Sequence, residues 1–348
     1  MRIKLLVYIF PLFMFSNVLS QDIHLAQANM TPLLVNPANA GAEYTMRGIL
    51  NYRTQWGSVS EPFVTMMAAF DMNFKPPASA GNKFGYFAGG LFVYNDKAGA
   101  SEMKTTQINL SLAYHVNIND KNTFGAGIQG GYFQRSANID KLTWGNQFDG
   151  YQYNESFNTG ENSEFDGISF GSTDYTVGVI WTFRNSEKYF SGRDIFLSSG
   201  LSFHHLNEPS IETQGLSLDE LHYRYIWHGN GIIGLNEKFS AVPYLYYSQQ
   251  GSINEIMFGS DVLYRLKQAN KYAGEKGMAM GVGIYYRWND AIIPSLVFQY
   301  ANYTLGFTYD INTSSLNNAT NKNGGFELSL RYVYPNPFGG TKSSARFR

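Results

Sequence analysis

From about residue 46 onward the chain alternates between apolar and polar or small positions. Ile108, Leu110, Leu112, Tyr114 and Val116 share one parity, with Gln107, Asn109, Ser111, Ala113 and His115 on the other. The same holds for Met278, Met280, Val282, Ile284, Tyr286 and Trp288, for Tyr303 to Ile311, and for Phe326 to Tyr334. A period of two sends successive side chains to opposite faces of a strand. The runs last about ten residues, the length of a tilted strand that crosses a hydrocarbon layer, whereas sandwich strands usually stop at about five or six. The pattern predicts fourteen strands, at 46–56, 63–74, 84–94, 105–116, 123–135, 174–183 and 195–206, then 222–233, 239–249, 255–266, 278–288, 292–300, 303–312 and 326–334. An even count suits a single-chain bacterial barrel. Gly229 to Gly234 blurs the alternation and leaves the registers over 222–249 open.

The two faces differ in kind. One is apolar, with aromatics toward strand ends such as Phe84 and Tyr94, Tyr175 and Phe183, and Trp288. The other is small or polar and carries Arg47, Arg53, Asp71, Asp174, Asp261, Arg265, Arg287, Asp310, Glu327 and Arg331. An Arg on the lipid face at mid-membrane costs about 2–4 kcal/mol, so these charges are expected to line a lumen and pair there. A soluble sandwich would turn an apolar face inward instead. The expected fold is therefore all-β, a transmembrane antiparallel β-barrel of about fourteen strands with a short N-terminal plug-like segment. The longest connection, 136–173, and those at 207–221 and 313–325 fall on one end, and short turns such as 117–122 and 301–302 on the other. Long outer loops and short periplasmic turns place both termini in the periplasm.

Composition sharpens this picture. Only 15% of the 348 residues are charged, against roughly 25% in ordinary soluble proteins, while 16% are aromatic and 35 are Gly. Mean hydropathy is −0.26, which an alternating barrel produces even with a full membrane face. A net charge of −1 argues against nucleic acid, and the absence of Cys excludes disulfides and thiolate chemistry. Arg2 and Lys4 precede the apolar run from Leu5 to Phe15, and Val18 and Ser20 follow at signal-peptidase spacing. Residues 1–20 read as a secretory signal, too short to span, with maturation near Gln21. Residues 21–45 read as a periplasmic or plug segment, 46–334 as the barrel and 335–348 as a periplasmic tail. In the plug segment Pro32 stops a short helix, and Asn36-Pro37-Ala38-Asn39-Ala40-Gly41 forms a turn-rich link to the first strand. It is expected to fold into or across the periplasmic mouth, with Asn36 satisfying backbone groups.

Candidate chemistry is sparse. Gly125 to Gly130 matches G-x-G-x-x-G literally but lies inside a strand, so its glycines read as small wall residues. His204 and His205 are adjacent, which in a strand turns the rings to opposite faces, and the other histidines share no ligand spacing with them. No metal site, cofactor or catalytic residue is expected, and no G-x-S-x-G or HExxH is present. The aromatics of the longest loop, Trp144, Phe148, Tyr151, Tyr153, Phe157 and Phe165, stand among Asn, Asp and Glu and form a candidate partner-binding surface.

Three stretches resemble the PorP/SprF family of outer-membrane proteins in type IX secretion and gliding systems. The first is Asn36-Pro37-Ala38-Asn39-Ala40-Gly41 with Arg47 and Tyr52-Arg53-Thr54-Gln55-Trp56. The second is Tyr285 to Ala291, similar to "Y-R-x-x-D-A". The third runs from Leu305 to Leu316 and closes with Gly325-Phe326-Glu327-Leu328-Ser329-Leu330; Thr308 stands where the family usually has Ser. The resemblance implies an outer-membrane barrel beside the secretion machinery, either helping to assemble it or exporting and anchoring a secreted adhesin. The implied partners are therefore such an adhesin or another secretion component, together with outer-membrane lipid. No catalytic residues accompany it. The competing reading is a FadL-like transport channel, whose plug has a similar Asn-Pro-Ala element; it would need an apolar pocket joined to a lateral opening.

Overall fold

The computed structural model describes residues 22–23, 25–57, 61–74, 85–99, 102–137, 143–158, 168–185, 194–210, 220–268, 276–314 and 323–334. The expected leader, the tail 335–348, Phe84 and Phe165 lie outside them. Among these residues fourteen antiparallel strands close into one barrel, each beside its sequence neighbours and the first beside the last. They are β1 (Met46–Gln55), β2 (Phe63–Asn73), β3 (Tyr86–Ala98), β4 (Met103–Asn117), β5 (Asn122–Ala137), β6 (Ile168–Arg184) and β7 (Ile195–His204). The circuit continues with β8 (Arg224–Gly234), β9 (Phe239–Gln250), β10 (Ile253–Lys267), β11 (Met278–Arg287), β12 (Ala291–Tyr300), β13 (Tyr303–Asn312) and β14 (Asn323–Tyr334). No described helix is long and apolar enough to cross a membrane.

Alternation decides which side chains meet lipid. Leu50, Met66, Phe70, Leu91, Ile108, Leu110, Val282, Ile284 and Leu296 stand exposed on the outside, a continuous apolar surface that only lipid can cover. On β3 the parity differs from expectation. Tyr94 is buried and faces the lumen, where its hydroxyl donates to Gln107 Oε1 at 2.6 Å, and Phe87 and Leu91 take the lipid face.

Connections 138–167 and 205–223 are the longest and share one end, here called the outer end. At the other end, here called the periplasmic end, the turns 118–121, 235–238 and 301–302 are short, whereas the connections 74–85, 185–194 and 268–277 are longer. Strands β5 and β6 pair from Asn122↔Phe183 to Ala137↔Ile168, so the long outer connection is shorter than the alternation implied. Polar positions such as Arg135, Ser136 and Ser169 still ladder in water, because antiparallel pairing needs no apolar face. The uncertain stretch near Gly229 lies on β8, where pairing with β9 skips from Asn230↔Tyr244 to Ile233↔Ala241, opposite Pro243, which has no N–H to donate.

Inside the barrel the N-terminal segment takes the place of a conventional core. Leu25, Leu33 and Ala40 pack with Ile49, Met67, Phe92 and Ala113 on one side. Ala26, Ala28 and Val35 pack with Ile226, Tyr244, Met257, Tyr285 and Ile293 on the other.

Candidate functional site

The segment is short and irregular: a 3-10 turn (Ala28–Met30), the helix α1 (Pro32–Val35) and a second 3-10 turn (Pro37–Asn39). Pro32 and Pro37 each open a turn, where a missing N–H costs nothing. Asn36 is fully buried. Its Oδ1 accepts from Ala38 N at 2.8 Å, and its Nδ2 donates to Val179 O at 3.0 Å and Leu201 O at 3.2 Å while lying 3.2 Å from His228 Nε2. One side chain thus caps its own turn and ties it to β6 and β7. The wall makes room with glycines that face inward. A Cβ on Gly127 would lie 2.6 Å from Ala38 N, one on Gly178 2.1 Å from Asn36 Oδ1, and one on Gly90 2.8 Å from Leu33. The literal G-x-G-x-x-G of β5 therefore contributes a cradle for Pro37-Ala38. Gly41 turns the chain into β1 with φ 60, and its N–H donates to Asp71 Oδ2 at 2.8 Å.

Of the two expected arrangements, into or across the periplasmic mouth, the segment takes the first and goes well beyond the mouth. It begins near the outer end, where Asp22 meets His205 just beyond β7 and Arg224 at the start of β8, and descends the whole lumen to β1. Wall groups receive it at each level: Glu327 takes the N–H groups of Ala26 (2.7 Å) and Gln27 (3.2 Å), Ser202 Oγ donates to Val35 O, and His115 Nε2 meets Ala40 O.

Of the ten charged wall positions, six meet in two clusters. Toward the outer end, Arg53 Nη2 and Arg287 Nη2 both reach Asp310 Oδ2 at 2.7 Å, and Arg53 Nη1 reaches Glu327 at 3.2 Å. Arg287 also pairs with Asp290. Toward the periplasm, Arg47 binds Asp71 at 2.8 Å and approaches Glu43 at 3.6 Å. The other four do not join these ion pairs. Asp174 accepts from Gln107 and meets His205, and Asp261 accepts from the Tyr285 hydroxyl. Arg331 lies over the Tyr44 ring, 5.8 Å from its centroid, and Arg265 stands near the periplasmic end within reach of the charges of Asp194 and Glu237. Parity alone told which side these groups face; the distance around the wall decided their partners.

The histidine pair also departs from expectation. Both rings are buried in the lumen, because His205 lies beyond β7 with φ 60, and this left-handed turn swings its side chain back inward. His204 approaches Ser202 Oγ and Val35 O, while His205 lies 2.6 Å from Asp22 Oδ2 and 3.0 Å from Asp174 Oδ1. Burial works against the imidazolium of His205, yet the charge of Asp22 and hydrogen bonds to Asp174 and Asp22 outweigh it and lift its pKa to about 10. Burial likewise opposes ionisation of Asp22, but His205 and Arg224 overcome it and hold the carboxyl well below the ordinary range. Asp22, His205 and Arg224 have no sequence motif; only the threading of the segment brings them together.

In the long outer connection, residues 143–158 fold around the buried Gln147. Its Oε1 accepts from Trp144 N and from the Tyr153 hydroxyl, both at 3.1 Å, and its Nε2 reaches Phe157 O at 3.4 Å. Trp144 is half-buried, whereas Phe148, Tyr151, Tyr153 and Phe157 are exposed, Tyr151 by 96%. The loop thus folds on a polar hub and leaves four of these aromatics in solvent.

Comparison with known proteins gives one family. The model of PorP/SprF, a type IX secretion system membrane protein, matches residues 17–332. No curated protein matches. Among solved structures, the toluene transporter TbuX of Ralstonia pickettii aligns with TM-score 0.46 and 10% identity over 87% of this chain and 92% of its own. A deltaS2 mutant of the monoaromatic hydrocarbon channel TodX gives 0.47 and 10%, over 87% and 93%. The translocator domain of the autotransporter NalP from Neisseria meningitidis gives 0.36 and 12%, over 88% and 94%.

Proposed function

For a chain that belongs to the PorP/SprF family of type IX secretion system membrane proteins, we propose the role of a partner-binding barrel in the outer membrane. In this reading it anchors, or assists the export of, a secreted adhesin-type protein, or docks another secretion component; it turns over no substrate. The observation that carries it is the filled lumen. Between Asp22 and Tyr44 the described residues of the segment are bonded to the wall at the outer end, in mid-lumen and near the periplasmic end, and cavities beside them of about 20, 60 and 10 Å³ leave room for a few waters. A barrel closed in this way offers its rims and loops to partners more readily than its pore. The exposed aromatics around Gln147, set among Asn154, Asp149 and Glu155, have the composition of an adaptable protein-recognition surface.

Co-purification from native outer membranes tests this. Intact protein should retain a specific secreted or secretion-system protein, and variants lacking 138–167 or 335–348 should show which surface holds it. Equal retention by both variants would remove those two surfaces from the reading. A channel for small ligands draws on one observation: a lumen cavity lies behind the unpaired seam at Gly231, Ile232, Val242 and Pro243. Its lining also includes Glu43, Asp261 and Arg331, which suits an apolar cargo poorly. Saturable uptake of a small apolar compound, with no protein partner retained, would favour that channel.

A further inference from the structure

Strand β6 outruns its neighbour. Its pairing with β7 ends at Val177↔Phe203, yet along its other edge it pairs with β5 out to Ile168. The cause lies in β7. After His204 the backbone turns at His205 (φ 60) and again at Glu208 (φ 39), and Glu208 N donates to His205 O at 2.9 Å. With the His205 ring held between Asp22 and Asp174, the chain leaves the wall.

Two contacts finish the ladder. Leu206 N donates to Tyr175 O at 3.0 Å. The Asn207 side chain then imitates a backbone, accepting from Tyr175 N at 3.2 Å and donating to Thr173 O at 2.8 Å. Tyr175 therefore directs its N–H and C=O toward the β7 side. These groups share a side within one residue and alternate along a strand, so Thr173, Gly171 and Ser169 point theirs the same way. Among the described residues nothing pairs with the Thr173 N–H or with either backbone group of Gly171 and Ser169 on that side. All three residues are exposed. They also lie outward of the aromatic row Tyr175, Phe203 and Tyr225, and hence in water, where an open edge is tolerable.

Native edges are usually guarded by lysine, proline or a bulge. Ser169-Phe170-Gly171-Ser172-Thr173 has none of these. We propose that this edge receives an extended segment of the partner polypeptide as an added β-strand. The complement to paired N–H and C=O groups repeating at every second residue is another extended backbone, which makes the ligand class a peptide rather than a lipid or a small molecule. The inference rests on the partner-binding reading above and locates its contact.

The test places the photo-cross-linker p-benzoylphenylalanine at Ser169, at Thr173 and, for reference, at Tyr151 of the full-length protein in cells. A strand added at the edge is expected to cross-link from Ser169 and Thr173 to partner residues four apart. Ser169→Pro with Thr173→Pro removes two edge donors without touching the bonds to β5, and should lower partner recovery at least tenfold while gel heat-modifiability stays normal. If that pair fails to fold, Ser169→Lys with Thr173→Lys guards the same edge by charge and should have the same effect. Cross-links from both edge positions into residues 211–219 of this chain would overturn the proposal. Wild-type recovery by a folded edge variant would also overturn it and leave the partner-binding reading standing. No protein partner at any of the three positions would overturn both.

Discussion

Two walls of the barrel hold the same segment by different means. Strands β3, β5, β6 and β7 receive Leu33 to Ala38 through vacancy: glycines bring the backbones close, and Asn36 supplies directional bonds to two carbonyls. Strands β1, β11, β13 and β14 hold Ala26 and Gln27 through charge, with Glu327 gripping two N–H groups while Arg53, Arg287 and Asp310 balance it. A fit by shape fails when a side chain is added. A fit by charge fails when one is removed, because the remaining partners stay buried and unpaired. The shape wall therefore decides whether the segment can enter, and the charge wall couples the segment to the stability of the barrel itself.

Deleting residues 22–44 breaks both fits at once and should have the largest effect, turning a barrel with little steady conductance into an open pore in planar bilayers. Unchanged single-channel conductance would contradict the filled lumen. Next comes Glu327→Ala, which leaves Arg53 with Asp310 alone, takes the acceptor from Arg53 Nη1 and from the Ala26 and Gln27 N–H groups, and should cost about 3–5 kcal/mol, read as a lower thermal unfolding temperature in detergent. On the opposite wall, Gly178→Val forces a side chain into Asn36 and should cost about 1–3 kcal/mol, with the segment expelled and the barrel intact. Protease access to 22–44 without loss of heat-modifiability would show that separation. Asn36→Ala, leaving buried groups without partners, should cost about 1–3 kcal/mol by the same assay.

The smallest effect is expected at the outer latch, where Asp22 faces His205 and Arg224, and His205 also faces Asp174 and His204. Because the His205 pKa is raised from 6.5 to about 10, its contribution is complete below 6.5 and lost as pH rises through 10. Asp22 is depressed, so its contribution is present above 3.8 and lost as pH falls below that value. Protection of the amides at 22–30 against hydrogen exchange, taken relative to their intrinsic rates, should therefore be greatest between about pH 4 and 6.5 and decline toward pH 10, and His205→Gln should flatten the alkaline limb.

Much of this molecule was legible along the chain. Alternation located all fourteen strands and the lipid-facing parity of nearly all of them, since a period of two is a local property that burial in lipid enforces residue by residue. Asn36-Pro37-Ala38 announced a turn by the chemistry of its own residues. Strand ends were less legible: β5 and β6 continue into water, where pairing persists after the apolar signal has stopped. The partners of Asp174, Asp261 and Arg331, and the latch of Asp22 with His205 and Arg224, were not legible at all.

What the sequence determined by itself is therefore the barrel, its two faces and the placement of most charges on the inner one. The tertiary structure alone decided that residues 22–44 run the full height of the lumen, that Gly90, Gly127 and Gly178 are vacancies for them, and that β7 leaves the wall at His205. The physical reason is range. Strand parity is set between neighbours along the chain, whereas the fit of a plug joins groups such as Ala26 and Glu327, 301 positions apart, whose meeting depends on barrel closure and strand stagger.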